Sequence, residues 1–144
     1  MNNESERINA VIEQLYASVN EPWESLKQTL DQHGCEKLGN LNETGSGAWH
    51  LYHIAEVFRV HARAVMGSDE IKGWPTLEQS TEHAAKTIRD DVERFGEWCL
   101  AHPSQCTDVI HGDKMGFEEM IGVMLRHIVW HAAAVHYWCL WKKS

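Results

Sequence analysis

Positive charge is scarce in this chain. Thirteen lysines and arginines face 21 aspartates and glutamates, a formal net charge of −8. A phosphate backbone is gripped by clustered cations, and here only Lys142 and Lys143 adjoin, so nucleic-acid binding is disfavoured. Long apolar runs are missing too, and nothing reaches the length that spans a bilayer. The first residues, "MNNESERINAVI", are polar and acidic, unlike a signal or transit peptide. A cytoplasmic protein with no membrane partner is expected. The four cysteines, Cys35, Cys99, Cys106 and Cys139, form no CxxC and no zinc-finger spacing. They read as free thiols, with Cys99 and Cys139 on apolar helix faces. Strand-like alternation, internal repeats and low-complexity tracts are also absent.

What is present is helical periodicity. The 144 residues, 43% hydrophobic and 24% charged, have ordinary globular composition, and 1–144 reads as one domain. Ile8, Val11, Ile12, Leu15, Val19, Trp23, Leu26 and Leu30 keep helical spacing from about Ser5 to Gln32. Pro22 falls inside this run, and because the register survives across it a kinked single helix is expected, in preference to a second helix capped by Asn20. Ser46 is the expected N-cap of a second helix that ends near Met66, before Gly67. A third covers Thr76 or Ser80 to Leu100, with Ile88, Val92, Phe95 and Cys99 inward and Pro103 as the stop. The fourth runs from Phe117 to about Trp141. The expected fold is all-α, an up-down four-helix bundle with two long connections.

Histidine is the unusual count, ten in all. In the last helix Met120, Met124, His127, His131, Ala134, Trp138 and Trp141 make one seam, beside a second of Ile121, Leu125, Ile128, Ala132, Val135 and Cys139. His127 and His131 are therefore placed at core positions, and His136 at the surface. In the second helix a narrow polar stripe of Tyr52, Glu56, Arg59 and Arg63 lies opposite Ile54, Val57, Phe58, Val60 and Ala64, and among these are His50, His53 and His61. An unsatisfied buried imidazole costs about 1–3 kcal/mol, so five by accident would be surprising. Imidazoles at i and i+4 offer the bite for one ion, and a third from a facing helix completes a set with coordination positions left for water or substrate. Nitrogen donors suit zinc, nickel, copper or ferrous iron. Spacing alone leaves the third ligand open, with His50 and His61 nearer the middle of the apolar arc than His53.

"SGAWHLYHIAEVFRVH" followed by "LRHIVWHAA" resembles the DinB-like (DinB/YfiT) superfamily, and also the metal-binding helical domain of ergothioneine-forming sulfoxide synthases. The order of elements agrees over nearly the whole chain: W-x-x-x-H on the second helix, then H-x-x-x-H on the last. One departure is "AAAVHYW", where many members carry a run such as HRGQ. The resemblance implies a four-helix bundle, often a homodimer, with a divalent ion (Zn, Ni or Fe) held by His53, His127 and His131. It implies His50 and His61 as neighbours of the site. It further implies an enzyme, a metal-dependent transferase or hydrolase working through a low-molecular-weight thiol. The alternative is a non-catalytic dimeric stress-response or binding module. Glu56 is expected to face solvent. The last helix, apolar over most of its circumference, is expected to be central in the bundle, buried in a dimer contact, or both. Trp130, Trp138 and Trp141 favour an interface, with plain core packing their other reading.

Overall fold

A chain with one apolar stripe per helix must bury those stripes against each other. In the computed structural model, which describes residues 3–21, 24–107 and 115–143, it does so with helices and, among those residues, no strand. The helices are α1 (Asn3–Asn20), α2 (Leu26–His33), α3 (Gly47–Met66), α4 (Ser68–Lys72), α5 (Thr81–Ala101) and α6 (Phe117–Lys143). Short 3-10 turns occupy Cys35–Lys37 and Pro103–Thr107. α3 packs against both α5 and α6, α1 does the same, and α2 rests on α6. One continuous core results, with Ile12, Leu15, Leu51, Ile54, Ile88 and Phe95 among its fully buried side chains. Phe58 and Phe95 meet edge to face at 5.6 Å between ring centres.

Caps set the boundaries. Ser46 accepts from Trp49 N at 3.0 Å and donates to the Asn40 carbonyl at 2.7 Å, which starts α3 as the sequence predicts. Ser80, not Thr76, starts α5 by accepting from His83 N. Ile88, Val92, Phe95 and Cys99 all face inward from it.

The expected single kinked first helix is two helices. α1 ends at Asn20 and α2 begins at Leu26. Glu24 sits at φ 49°, a left-handed conformation that no right-handed helix can run through. Ser25, rather than Asn20, caps α2 by accepting from Gln28 N at 3.2 Å, while its own hydroxyl donates to the Glu21 carbonyl. Pro22 and Trp23 lie outside the described residues. Leu26 is still buried and Leu30 still packs on the core, so the register that suggested continuity is genuine. A periodic stripe records which side faces inward, and a short break can preserve it. The small helix α4 was also hidden in sequence, since five residues are too few to display a period.

One ion pair ties α3 to α5 from within. Asp91 is 0% exposed. It accepts from Arg59 twice, at 2.7 and 3.2 Å, and from Arg94 Nη1 at 3.2 Å. Burial pushes the Asp91 carboxyl above its usual range, and the two arginines pull it back only in part. Arg59 also donates to the Pro75 carbonyl at 2.7 Å, pinning the long connection beneath Trp74.

Candidate metal centre

The geometry of α6 decides how the histidines stand. Ile121, Ile128, Ala132, Val135 and Cys139 are all buried, so the second seam is the core-facing one. The first seam starts buried at Met120 and Met124, then runs out along the edge of the packing. His127 and His131 are thus half-buried rather than core residues, and Trp141 at its end is 68% exposed. On α3 the matching flank carries His53, also half-buried.

Across this seam His53, His127 and His131 come together. Each offers a ring nitrogen, and the three nitrogens lie within 4.8 Å of one another. Ring centres are 5.1 Å apart for His53 and His127, 4.8 Å for His53 and His131, and 4.4 Å for His127 and His131. Such a group could hold a metal ion. The two rings on α6 meet because i and i+4 share a helix face, and His53 reaches them because α3 packs directly on α6.

Neighbouring side chains fix the rings. His50 Nδ1 lies 2.8 Å from His131 Nδ1, so the nitrogen of His131 that remains for an ion is Nε2. Trp49 stacks on His53, with ring centres 5.1 Å apart and planes 10° from parallel, and also meets His50 edge-on. His50 therefore stands behind the triad rather than in it. His61 lies near enough to His127 to disfavour its protonation. Glu56 is exposed, as the sequence suggests.

The donor chemistry fits a cation that takes nitrogen ligands, because the His127 and His131 imidazoles are held neutral. Burial pushes the His127 ring down to about 4, with His53 and His61 adding to the effect. Burial does the same to His131, also to about 4, reinforced by His127, His53 and His50. Burial, then His53, lowers His50. In the unfolded chain each ring titrates near its ordinary value of 6.5. Between those two limits the unfolded state binds more protons, so falling pH favours unfolding. The metal-free protein is expected to lose stability as pH drops from about 6.5 to about 4, and to level off below. Urea midpoints of the wild type and of a His127→Ala, His131→Ala double variant across that window check this; the double variant should show the shallower fall.

Four sequence expectations need correction beyond the burial of His127 and His131. His136 does not simply face water: its Nδ1 is 2.8 Å from Nε2 of buried His33, a second imidazole pair joining α6 to α2. That pairing follows from the break before α2, which sets where His33 ends up. Val60 is 52% exposed and so lies off the buried face of α3. Trp130 and Trp141 are not core residues, at 76% and 68% exposed, and Tyr137 joins them at 70%. Trp138 alone of the three tryptophans is half-buried, against Gly39, where a Cβ would collide with the indole. No protein family, curated protein or solved structure matches the chain. The site is therefore read from its own chemistry. Among the described residues no helix is long and apolar enough to cross a membrane.

Proposed function

We propose that this chain is a divalent-metal protein of the DinB-like (DinB/YfiT) type, a four-helix bundle that acts as a transferase through a low-molecular-weight thiol in the cytoplasm. One observation carries the reading. Three histidines from α3 and α6, spaced as W-x-x-x-H and H-x-x-x-H, bring their nitrogens within 4.8 Å of one another. The bundle is supported by four long helices, α1, α3, α5 and α6, with α1 and α3 each lying against both of the others.

The residues divide the work simply. His53, His127 and His131 would hold the ion, zinc, nickel or iron. His50 orients the His131 ring through Nδ1, and Trp49 holds the plane of His53. All three donors are half-buried, so their meeting point reaches the surface, unlike a closed structural site. When bound, such an ion lowers the pKa of a small thiol and keeps it as a nucleophilic thiolate. No side-chain nucleophile is then required, and the depressed affinity of His127 and His131 for protons leaves them available as ligands well below neutral pH.

A second reading, a non-catalytic dimeric binding or stress-response module, is favoured by the exposed Leu140 and Trp141 at the end of α6. The test is cobalt-substituted protein titrated with glutathione. A thiolate-to-cobalt charge-transfer band is the expected result. A cobalt spectrum indifferent to glutathione, cysteine and other small thiols would instead favour the module.

A further inference from the structure

α6 turns an unusual face to solvent. Val123, Arg126, His127, Trp130 and His131 line a depression of about 450 Å³. A second, of about 550 Å³, adjoins it and is lined by Val129, Ala133, Ala134 and Tyr137 together with Arg126 and Trp130. Because Arg126 and Trp130 belong to both, the two form one groove that starts beside the histidine triad. Residues 126, 130, 133 and 137 follow the i, i+4, i+7 spacing of a single helical stripe. Small Ala133 between two large aromatic rings opens the space between them.

Arg126 is the polar feature of this groove. Arg7 pairs with Glu118, and Arg59 and Arg94 pair with Asp91. Arg126 makes no hydrogen bond or ion pair with any described residue. Arg63 and Arg89 likewise make no ion pair with a described residue; Arg126 differs in standing among apolar side chains. One turn earlier stands Gly122, an unfavourable residue inside a helix. A Cβ there would lie 2.9 Å from Arg126 Nη1. The guanidinium lies back along α6 over this glycine.

We propose that this groove binds a small molecule with an apolar body and one carboxylate, the carboxylate forked by Arg126 and the body laid on Trp130, with the triad at the groove's end. A guanidinium matches a carboxylate in two parallel hydrogen bonds, and a tryptophan offers a rigid apolar platform. A second copy of the chain fits less well. An isologous dimer would place this patch against itself, and none of the residues lining either depression is acidic, so a counter-charge for Arg126 would have to come from beyond them. The proposal rests on the metal reading only for what the far end of the ligand meets.

The test uses 3-phenylpropanoate and its uncharged analogue 3-phenylpropanamide, titrated calorimetrically into the full chain and into Arg126→Gln. The acid is expected to bind the wild type roughly tenfold more tightly than the amide, and Arg126→Gln to bring the two level without weakening the amide. Equal affinities in the wild type, binding of neither probe, or a preference that survives Arg126→Gln overturns the proposal. So does a wild-type dimer in sedimentation that neither probe enters. Zinc uptake by equilibrium dialysis of the same preparations reads the triad separately. Acid preference without zinc uptake removes the triad and keeps the carboxylate groove, whereas zinc uptake without acid preference does the reverse.

Discussion

Replacing His131 or His127 with alanine is expected to lower zinc affinity by on the order of 100-fold or more, the largest functional loss of any single substitution. The scale follows from what lesser changes do: removing a partner that merely orients a ligand costs about 10–100-fold. Here a donor itself is lost from a group of three, and His50 cannot stand in for His127 while its Nδ1 is spent on His131, which makes His127→Ala the cleaner of the two variants. His50→Ala should therefore fall within that lesser range, by freeing the His131 ring to turn. His136→Ala should leave affinity unchanged, since that ring pairs with His33 and not with the triad. Competition with a chromophoric chelator measures all four. The ranking is the informative part. Affinity that survives His127→Ala, or that falls equally for His136→Ala, would place the ion elsewhere.

The second large effect concerns stability alone. Arg59→Met should destabilise the protein by about 3–5 kcal/mol, because it strips a wholly buried carboxylate of its principal partner. Arg94 remains with one long bond to Asp91, and the Pro75 carbonyl loses its donor as well. Burial already raises the Asp91 carboxyl with both arginines present, so in the variant it should take up a proton rather than stay charged. Arg59→Met combined with Asp91→Leu should recover much of the loss, since an apolar pair of similar bulk has no desolvation penalty. Urea unfolding of the single and double variants gives the comparison. A single variant within about 0.5 kcal/mol of wild type would mean that the pair contributes no more than a surface contact.

How much of this was legible in sequence depends on what periodicity encodes. Ser46, Ser80 and Gly67 announce helix ends through chemistry local to the chain: α3 begins and ends at Ser46 and Gly67, and α5 begins at Ser80. The inward residues of α5 were equally plain. The break before α2 was not, because Glu24 adopts its left-handed angle without the glycine or asparagine that usually signals one. The faces of α6 were misjudged for a different reason. A helix apolar around most of its circumference looks central, yet a sequence cannot say whether a second layer of protein covers the outer half. None of the described residues covers Trp130 or Tyr137, and the histidine seam sits at the boundary. That boundary is what lets the triad reach solvent.

For the site, the i, i+4 spacing of His127 and His131 was enough to put two rings together. Choosing among His50, His53 and His61 was beyond periodicity, because all three lie on one broad arc and only the packing of α3 on α6 ranks them. The resemblance singled out His53, and His53 is the one that joins the pair. The His33–His136 contact had no sequence signal, since it links residues 103 apart through a turn whose geometry was unknown.

Everything functional depends on a single convergence of imidazoles between α3 and α6. X-ray absorption at the zinc edge of protein purified without an affinity tag and loaded with one equivalent tests it most directly. The account predicts three imidazole nitrogens at about 2.0–2.1 Å, falling to two in His53→Ala. A zinc shell of sulfur, of carboxylate oxygen, or of nitrogens indifferent to His53→Ala would contradict it.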